Sequence, residues 1–116
     1  MMMLVKMTGT DDRIVDLSED GFDGFVKENK VVLVDLWAGW CMPCTMQGKM
    51  IEQKLDQMPA GAKVAKVNVD ENPGIARKFN VRGIPQMYLL VNGETVKGWT
   101  GVTPAEVIFS EMEKHL

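Results

Sequence analysis

The chain has 116 residues, of which 46% are hydrophobic and 25% charged, and it carries a net charge of −3 with a pI near 5.1. This length and composition suit one soluble domain with its own core, which needs no disulfide cross-link to fold. The acidic balance argues against nucleic acid or an anionic membrane as a main partner, because both call for a basic face.

The N-terminal stretch shows no secretory signal and no membrane span, since its apolar run is interrupted by Lys6 and polar residues follow from Thr8. We expect a flexible tail over residues 1–12 and a single domain over residues 13–116. A cytoplasmic location is the default, and it also suits a reduced pair of thiols.

The first half of the domain alternates between strand and helix patterns. Residues 13–17 suit a short strand, and Ser18 can cap the helix that follows. Residues 31–37 are apolar except for Asp35, which predicts a central strand covered on both faces. The apolar spacing of residues 45–58 predicts a helix, and residues 63–69 predict a strand parallel to the preceding one.

The second half contains three local motifs that mark the start of a helix or a turn. Asn72 and Pro73 provide a cap and a first-turn proline for a short helix. Asn92-Gly93 predicts a hairpin between strands at residues 86–91 and 95–99. Residues 103–106, Thr-Pro-Ala-Glu, read as a capping box that opens the last helix. Together the elements predict an α/β fold, a three-layer α/β/α sandwich around a central mixed sheet.

Two cysteines, Cys41 and Cys44, lie between the central strand and the helix. Pro43 fits the first helical turn, where unpaired backbone donors and the helix dipole favour a thiolate. Cys41 is nearer the helix start and is expected to be more exposed, so we predict that it is the nucleophile and that Cys44 resolves its mixed disulfide. A disulfide closing so small a ring stabilises a fold by only about 2 kcal/mol, which suits redox cycling better than cross-linking.

Two other interpretations of the cysteine pair are a metal half-site and a pair of unreactive thiols. A tetrahedral zinc site needs four ligands, and the sole histidine, His115, stands at the far end of the sequence. We therefore expect no metal.

Around this pair the sequence resembles the thioredoxin family. The resemblance covers about residues 14–116, with motifs in the family's order and at similar spacing. These motifs are Val34-Asp35-Leu36-Trp37-Ala38, Trp40-Cys41-x-Pro43-Cys44, Lys66-Val67-Asn68-Val69-Asp70, Asn72-Pro73-Gly74, Val81-Arg82-Gly83-Ile84-Pro85, Asn92-Gly93-Glu94 and Gly101. It implies a thioredoxin-like fold and a thiol-disulfide oxidoreductase that reduces protein disulfides through Cys41 and Cys44.

The resemblance implies roles for further residues. Asp35 would relay a proton from Cys44 while Lys66 modulates its charge; the alternative is a buried carboxylate with a purely structural role. Met42 and Pro43 would tune the redox potential. The Ile84–Pro85 bond would be cis, although X-Pro bonds in general are mostly trans. The implied substrate-binding rim consists of Trp40, Gly83, Ile84, Pro85, Gly101 and Val102.

Three residues depart from the family's usual pattern. Met42 stands where Gly is most common, Lys49 where a helix-kinking Pro is usual, and Gln86 where Thr is more frequent. Met42, Met46 and Met50 recur every four residues. They could extend the rim as an adaptable surface, or Met46 and Met50 could simply fill the core.

The resemblance also implies partners. It predicts disulfide-containing protein substrates, a thioredoxin reductase as electron donor, a monomer, and no cofactor beyond the Cys41–Cys44 disulfide. The expected process is electron transport in cell redox homeostasis. Two alternatives remain open: the same fold acting as a disulfide oxidant or isomerase, and a non-catalytic binding module. Pro43 before Cys44 favours the reducing direction.

Overall fold

The computed structural model describes residues 5–8 and 11–116, with side chains from residue 11 onward. The strands are β1 (Val5–Thr8), β2 (Asp11–Leu17), β3 (Val31–Trp37), β4 (Ala62–Asn68), β5 (Gln86–Val91) and β6 (Glu94–Thr100). The helices are α1 (Glu19–Glu28), α2 (Met42–Gln53), α3 (Pro73–Lys78) and α4 (Ala105–Glu113), with a 3-10 turn at Leu55–Gln57. Among the described residues, no helix has both the length and the apolar character needed to cross a bilayer.

The six strands of the described residues belong to one sheet, in the order β1-β2-β4-β3-β5-β6. β3 pairs in parallel with β4 and antiparallel with β5, so the sheet is mixed, as predicted. Val31 to Val34 and Leu36 of β3 are completely buried, which agrees with a central strand covered on both faces. Cys41 and Cys44 follow the carboxyl end of this strand after a short turn.

Helices cover both faces of the sheet. On one face, Leu33 packs in a cluster with Ile51 of α2 and Ile108 of α4. On the other face, Val34 packs with Phe22 of α1 in a cluster that α3 also joins. Successive residues of β3 therefore point into two separate cores, because side chains alternate along a strand. The predicted three-layer α/β/α sandwich is confirmed.

The N-terminal end of the sheet differs from the prediction. A flexible tail was expected over residues 1–12, but residues 5–8 form β1, which pairs antiparallel with β2 from Val5 opposite Leu17 to Thr8 opposite Asp11. β1 satisfies backbone groups that β2 would otherwise leave unpaired at the edge of the sheet. The sheet thus begins upstream of residue 13. Residues 1–4 and 9–10 lie outside the described residues.

The capping box predicted for the last helix is wrong. The Thr103 hydroxyl donates a hydrogen bond to the Gly101 carbonyl at 3.1 Å, and the Glu106 carboxylate pairs with Lys54. No side-chain cap forms at the start of α4. Thr103 therefore bonds a neighbouring turn, and Glu106 pairs with the end of α2. Both contacts compete with local capping of α4.

Asn72 stands before α3 as predicted, but its side chain serves a different helix. Its Oδ1 accepts a hydrogen bond from the backbone N–H of Glu19, at the start of α1, at 3.0 Å. The Glu19 carboxylate in turn accepts one from the backbone N–H of Gly74 in α3. The first turns of α1 and α3 therefore cap each other.

The hairpin between β5 and β6 turns at Asn92-Gly93, as predicted. Both residues have positive φ, 51° and 83°, the conformation that a type I′ turn requires. The Asn92 N–H donates to the Lys30 carbonyl at 2.8 Å, just before β3. The hairpin turn therefore lies beside the amino end of β3, at the opposite end of that strand from the cysteines.

Candidate active site

Cys41 and Cys44 form a disulfide at the start of α2, with Cα atoms 5.2 Å apart. Cys41 is the N-cap residue, and its Sγ accepts a hydrogen bond from the Cys44 backbone N–H at 3.2 Å. An oxygen of Ser or Asp usually fills this role at a helix start. The N–H donor and the positive end of the helix dipole thus stabilise negative charge on the Cys41 sulfur when the disulfide opens.

Both sulfur-bearing side chains are buried. Cys41 is 5% exposed and Cys44 is 3% exposed. Cys41 was predicted to be the more exposed of the two, but the difference is small. They form an apolar cluster with Ala38, against which Trp37 and Ile84 pack. The hydrogen bond to Cys41, rather than exposure, is what distinguishes the two sulfur atoms.

Three large apolar side chains just before α2 and within its first turns are exposed. Trp40 is 70% exposed, Met42 74% and Met46 57%. The interpretation of Met46 as a core filler is therefore wrong, while Met50 is half-buried. The Trp40 Nε1–H donates to Asp70 Oδ2 at 2.8 Å, which orients the indole over the surface. No local sequence pattern pointed to Asp70, since it lies 30 residues from Trp40.

The segment before β5 joins this surface. The Ile84–Pro85 bond is cis, and Ile84 packs against the cysteine cluster. The Pro85 carbonyl accepts a hydrogen bond from the Gly101 N–H at 2.8 Å, and Gly101 has a φ of +83°. Gly83 and Val102, on either side of this contact, are exposed. The residues of the predicted rim thus reach this region from three segments of the chain.

Gln86, one of the departures from the family pattern, ties the same region together. It is buried, and its Oε1 accepts a hydrogen bond from the Thr100 hydroxyl at 2.7 Å. Gln86 and Thr100 are also opposite each other in the pairing of β5 with β6. The side chain after Pro85 therefore joins two strands instead of facing solvent.

Asp35 lies on β3 and is almost completely buried. Burial raises the pKa of its carboxyl to about 6, while the Lys66 cation acts in the opposite direction and lowers it. Asp35 Oδ1 has no hydrogen-bond partner among the described residues. Lys66 stands opposite Asp35 on β4, with its Nζ 4.8 Å from the centre of the Trp37 ring.

A small cleft lies between α2 and the sheet at this point. Asp35, Gly48, Glu52 and Lys66 are among the residues that line it. The cleft therefore brings the buried carboxyl and two charged side chains to one place, close to the helix that carries Cys44.

Gln47 was missed by the sequence analysis, although it is completely buried on α2. Its Nε2 donates to the Thr103 carbonyl at 2.9 Å, and its Oε1 accepts from the Thr103 N–H at 2.7 Å. The helical spacing that placed Ile51 inside carried a signal, because Gln47 lies four residues earlier on the same face. The residue was missed because the sequence analysis followed apolar residues, and Gln47 is polar.

The described residues contain no group of three or more His, Cys, Asp or Glu side chains that could hold a metal ion. The ring of His115 lies beside Glu111, with 3.3 Å between Nε2 and Oε2, on the last turn of the chain. The reactive groups that the structure places at this site are the two sulfur atoms and the buried carboxyl of Asp35.

A disulfide at a helix N-terminus, with a hydrogen-bond donor aimed at one sulfur and an apolar surface around it, defines a thiol-disulfide oxidoreductase. The sequence model of the Thioredoxin family matches residues 13–114. The chain belongs to the thioredoxin family, whose members are protein-disulfide oxidoreductases.

Individual relatives agree with this assignment. The chain is 43% identical over 88 residues to a thioredoxin of Chlorobaculum thiosulfatiphilum, covering 76% of this chain and 82% of that protein. It is 38% identical over 103 residues to a thioredoxin of Staphylococcus saprophyticus, covering 89% and 98%. Its fold is similar to that of a mutant thioredoxin from Halobacterium salinarum NRC-1, with a TM-score of 0.81 at 32% identity over 94% and 96% of the two chains.

Family membership fixes the general reaction. Thioredoxins reduce protein disulfides by dithiol-disulfide exchange and need no cofactor, and in general they work with a disulfide substrate and a reductase. The predicted family, fold class and reaction are therefore confirmed.

Proposed function

We propose that Cys41 attacks the disulfide of a protein substrate and that Cys44 resolves the mixed disulfide. The observation that carries this assignment is the 3.2 Å hydrogen bond from the Cys44 N–H to the Cys41 Sγ. A donor aimed at one sulfur favours the thiolate of that residue, and the thiolate is the attacking species.

The exchange proceeds in two balanced steps. The Cys41 thiolate bonds to one substrate sulfur, the substrate S–S bond breaks, and the other sulfur leaves as a thiolate that takes up a proton. Cys44 then loses its proton and attacks the Cys41 sulfur, which breaks the mixed disulfide and releases the second substrate thiolate. The second thiolate also takes up a proton, so the substrate gains two electrons and two protons. These balance the proton that Cys41 released on ionising and the one that Cys44 lost, and Cys41 and Cys44 are oxidised to the disulfide.

Asp35 is the proposed acceptor of the Cys44 proton, directly or through water, with Lys66 modulating its charge. A pKa of about 6 leaves this carboxyl mostly ionised at neutral pH yet able to hold a proton for a short time. The cleft lined by Asp35 and Lys66 supports the proposal, because it places the carboxyl against α2, the helix that carries Cys44.

The proposed substrate-binding rim combines exposed apolar surface with backbone groups. Its members are Trp40, Gly83, Ile84, Pro85, Gly101 and Val102. Met42, exposed between the cysteines, widens the rim, and Met42 and Pro43 together tune the redox potential. A small apolar surface suits weak and transient docking, since the product must leave quickly.

The proposed electron donor is a thioredoxin reductase, which returns two electrons and two protons to the disulfide. The proposed setting is electron transport in the cytoplasm, without a resident cofactor or metal. Family membership supports the reductase, and a reducing compartment keeps the two thiols available. An assay that couples the protein to a thioredoxin reductase, with glutathione in parallel, tests the choice of donor.

The assignment of the two cysteines is tested with Cys41→Ser and Cys44→Ser, each of which serves as the control for the other. We expect both to lose turnover of insulin disulfides, because each removes one half of the exchange. Only Cys44→Ser should accumulate a mixed disulfide with substrate, visible on non-reducing gels and by mass spectrometry.

Two results contradict the proposal. Trapping by Cys41→Ser but not by Cys44→Ser reverses the two roles. If Cys41→Ser still reduces insulin, the cysteine pair is not the catalytic group.

A redox titration against glutathione separates a reductant from an oxidant, and a midpoint well above that of glutathione would favour the oxidant.

A further inference from the structure

Gln47 places an amide in a part of the core where an apolar side chain would normally pack. It lies between Cys44 and Ile51 on the buried face of α2, and all three are buried. A buried amide destabilises a fold unless its nitrogen and its oxygen both find hydrogen-bond partners. In Gln47 both atoms are hydrogen-bonded, and both bind the same residue, Thr103.

The two hydrogen bonds run in opposite directions to the backbone of Thr103. The Nε2–H donates to the carbonyl at 2.9 Å, and the Oε1 accepts from the N–H at 2.7 Å. One hydrogen bond fixes a distance, whereas two opposed bonds also fix the orientation of the backbone they bind. Gln47 therefore holds Thr103 as a neighbouring strand would.

Thr103 ends the loop 101–103, which belongs to the proposed substrate-binding rim. At its other end the Gly101 N–H donates to the Pro85 carbonyl at 2.8 Å, and the Thr103 hydroxyl closes the loop onto the Gly101 carbonyl at 3.1 Å. Val102, between these anchors, is exposed. The loop is thus attached on one side to the segment at Pro85 and on the other to the helix that carries Cys44.

We propose that Gln47 is a positioning residue that holds loop 101–103 at the distance from the cysteines that a docked protein substrate requires. The proposal rests on the proposed role of this loop in substrate binding. The hydrogen bonds of the Gln47 amide go to the Thr103 backbone and not to a sulfur atom. Its effect is on how tightly a polypeptide docks, and not on the exchange between sulfur atoms.

The test uses Gln47→Met, which keeps the length and the helix-forming character of the side chain but cannot bond Thr103. We expect the KM for insulin to rise about tenfold, with kcat within about twofold, because the loop is no longer held in its docking position. The rate with a small aromatic disulfide, which needs no docked polypeptide, should change less than twofold. Val26→Ala, on the other face of the sheet, controls for a general loss of packing.

Amide hydrogen exchange provides a second measurement, made first on the wild-type protein. The Thr103 N–H should be strongly protected, and Gln47→Met should lose that protection while the amides of β3 keep theirs. A Thr103 amide that exchanges as fast as an exposed loop amide in the wild type overturns the proposal.

The kinetic outcomes separate this proposal from the assignment of the cysteines. An unchanged KM in folded Gln47→Met overturns the positioning role, even if Thr103 exchanges faster. An equal fall in rate with insulin and with the small disulfide also overturns it, because Gln47 would then support the cysteines themselves. Wild-type protein that reduces neither disulfide contradicts the proposed function instead.

Discussion

Asp35 and Gln47 are both polar and both buried, yet their surroundings differ. Asp35 Oδ1 has no hydrogen-bond partner among the described residues, whereas both polar atoms of the Gln47 amide are bonded to Thr103. Burial therefore destabilises the ionised form of Asp35 and raises its pKa to about 6, while the same burial strengthens the bonds of Gln47. The unsatisfied group is the one that can exchange a proton near neutral pH, and the satisfied group is the one that can hold a loop in place.

The largest expected effect is on stability, from Asp35→Ala. The folded-state pKa of about 6 lies above the ordinary 3.8, so ionisation of Asp35 destabilises the fold by about 3 kcal/mol above pH 6, and this penalty disappears as the pH falls toward 4. After about 1 kcal/mol for the void, the variant should be more stable than wild type by about 2 kcal/mol at pH 8. Urea unfolding at pH 8 and at pH 4 measures both values. A gain that is equal at the two pH values would contradict the ionised, unpaired carboxyl.

The opposite sign is expected for Gln47→Met. Removing the amide leaves the Thr103 N–H and carbonyl without their partners, which should destabilise the fold by about 1.5 kcal/mol. The loss should be the same at pH 5 and pH 8, since an amide does not titrate. Urea unfolding alongside Asp35→Ala checks the contrast, and a stabilising Gln47→Met would remove the difference between the two sites.

Asp35→Ala should slow turnover although it stabilises the fold. Without an acceptor for the Cys44 proton, insulin reduction should slow about tenfold at pH 6.5 and recover toward wild type near pH 9, where thiols ionise unaided. Initial rates across this range measure the profile. A rate that stays at the wild-type level throughout would assign Asp35 a structural role only.

A smaller effect is expected from Lys66→Met. The Lys66 cation lowers the pKa of Asp35, so its removal should raise that pKa above about 6, by an amount worth up to about 1 kcal/mol. The carboxyl carbon resonance of Asp35, titrated by NMR, reports the change. Lys63→Met removes the same charge from the same strand and serves as the control. Equal shifts in both variants would argue against a specific contact.

The smallest effect is expected from Asp70→Ala, which removes the hydrogen bond to Trp40. This contact is exposed, so its loss should change stability by about 0.5 kcal/mol at most. The fluorescence anisotropy of Trp40 should fall, because the indole gains freedom. A loss of stability as large as that of Gln47→Met would show that burial is not what separates strong from weak polar contacts in this protein.

The parts of the fold that follow from local sequence were predictable. β3 matches residues 31–37 because a run of apolar, β-branched residues has few alternatives to a central strand. The hairpin turn follows from Asn92-Gly93, where positive φ is required at both residues. The cysteine pair at a helix start follows from Pro43 and the apolar spacing of α2.

The polar contacts that shape the site could not be predicted in the same way. Gln47 meets Thr103 across 56 residues, and Asn72 meets Glu19 across 53. Thr103 and Glu106 match a capping pattern locally, yet each finds another partner in the folded chain. A side chain's choice between a near and a distant partner depends on the packing of whole elements, which a local pattern does not contain.

The position of the Asn92-Gly93 turn has a practical consequence for engineering. It lies beside the amino end of β3, about 20 Å from the cysteines at the carboxyl end of that strand, given a rise of about 3.3 Å per residue. Strand β6, at the edge of the sheet, follows directly from the turn. A peptide epitope or a fluorescent reporter inserted between these two residues should leave electron transfer to substrates unaffected, which makes this turn the natural place to add a tag.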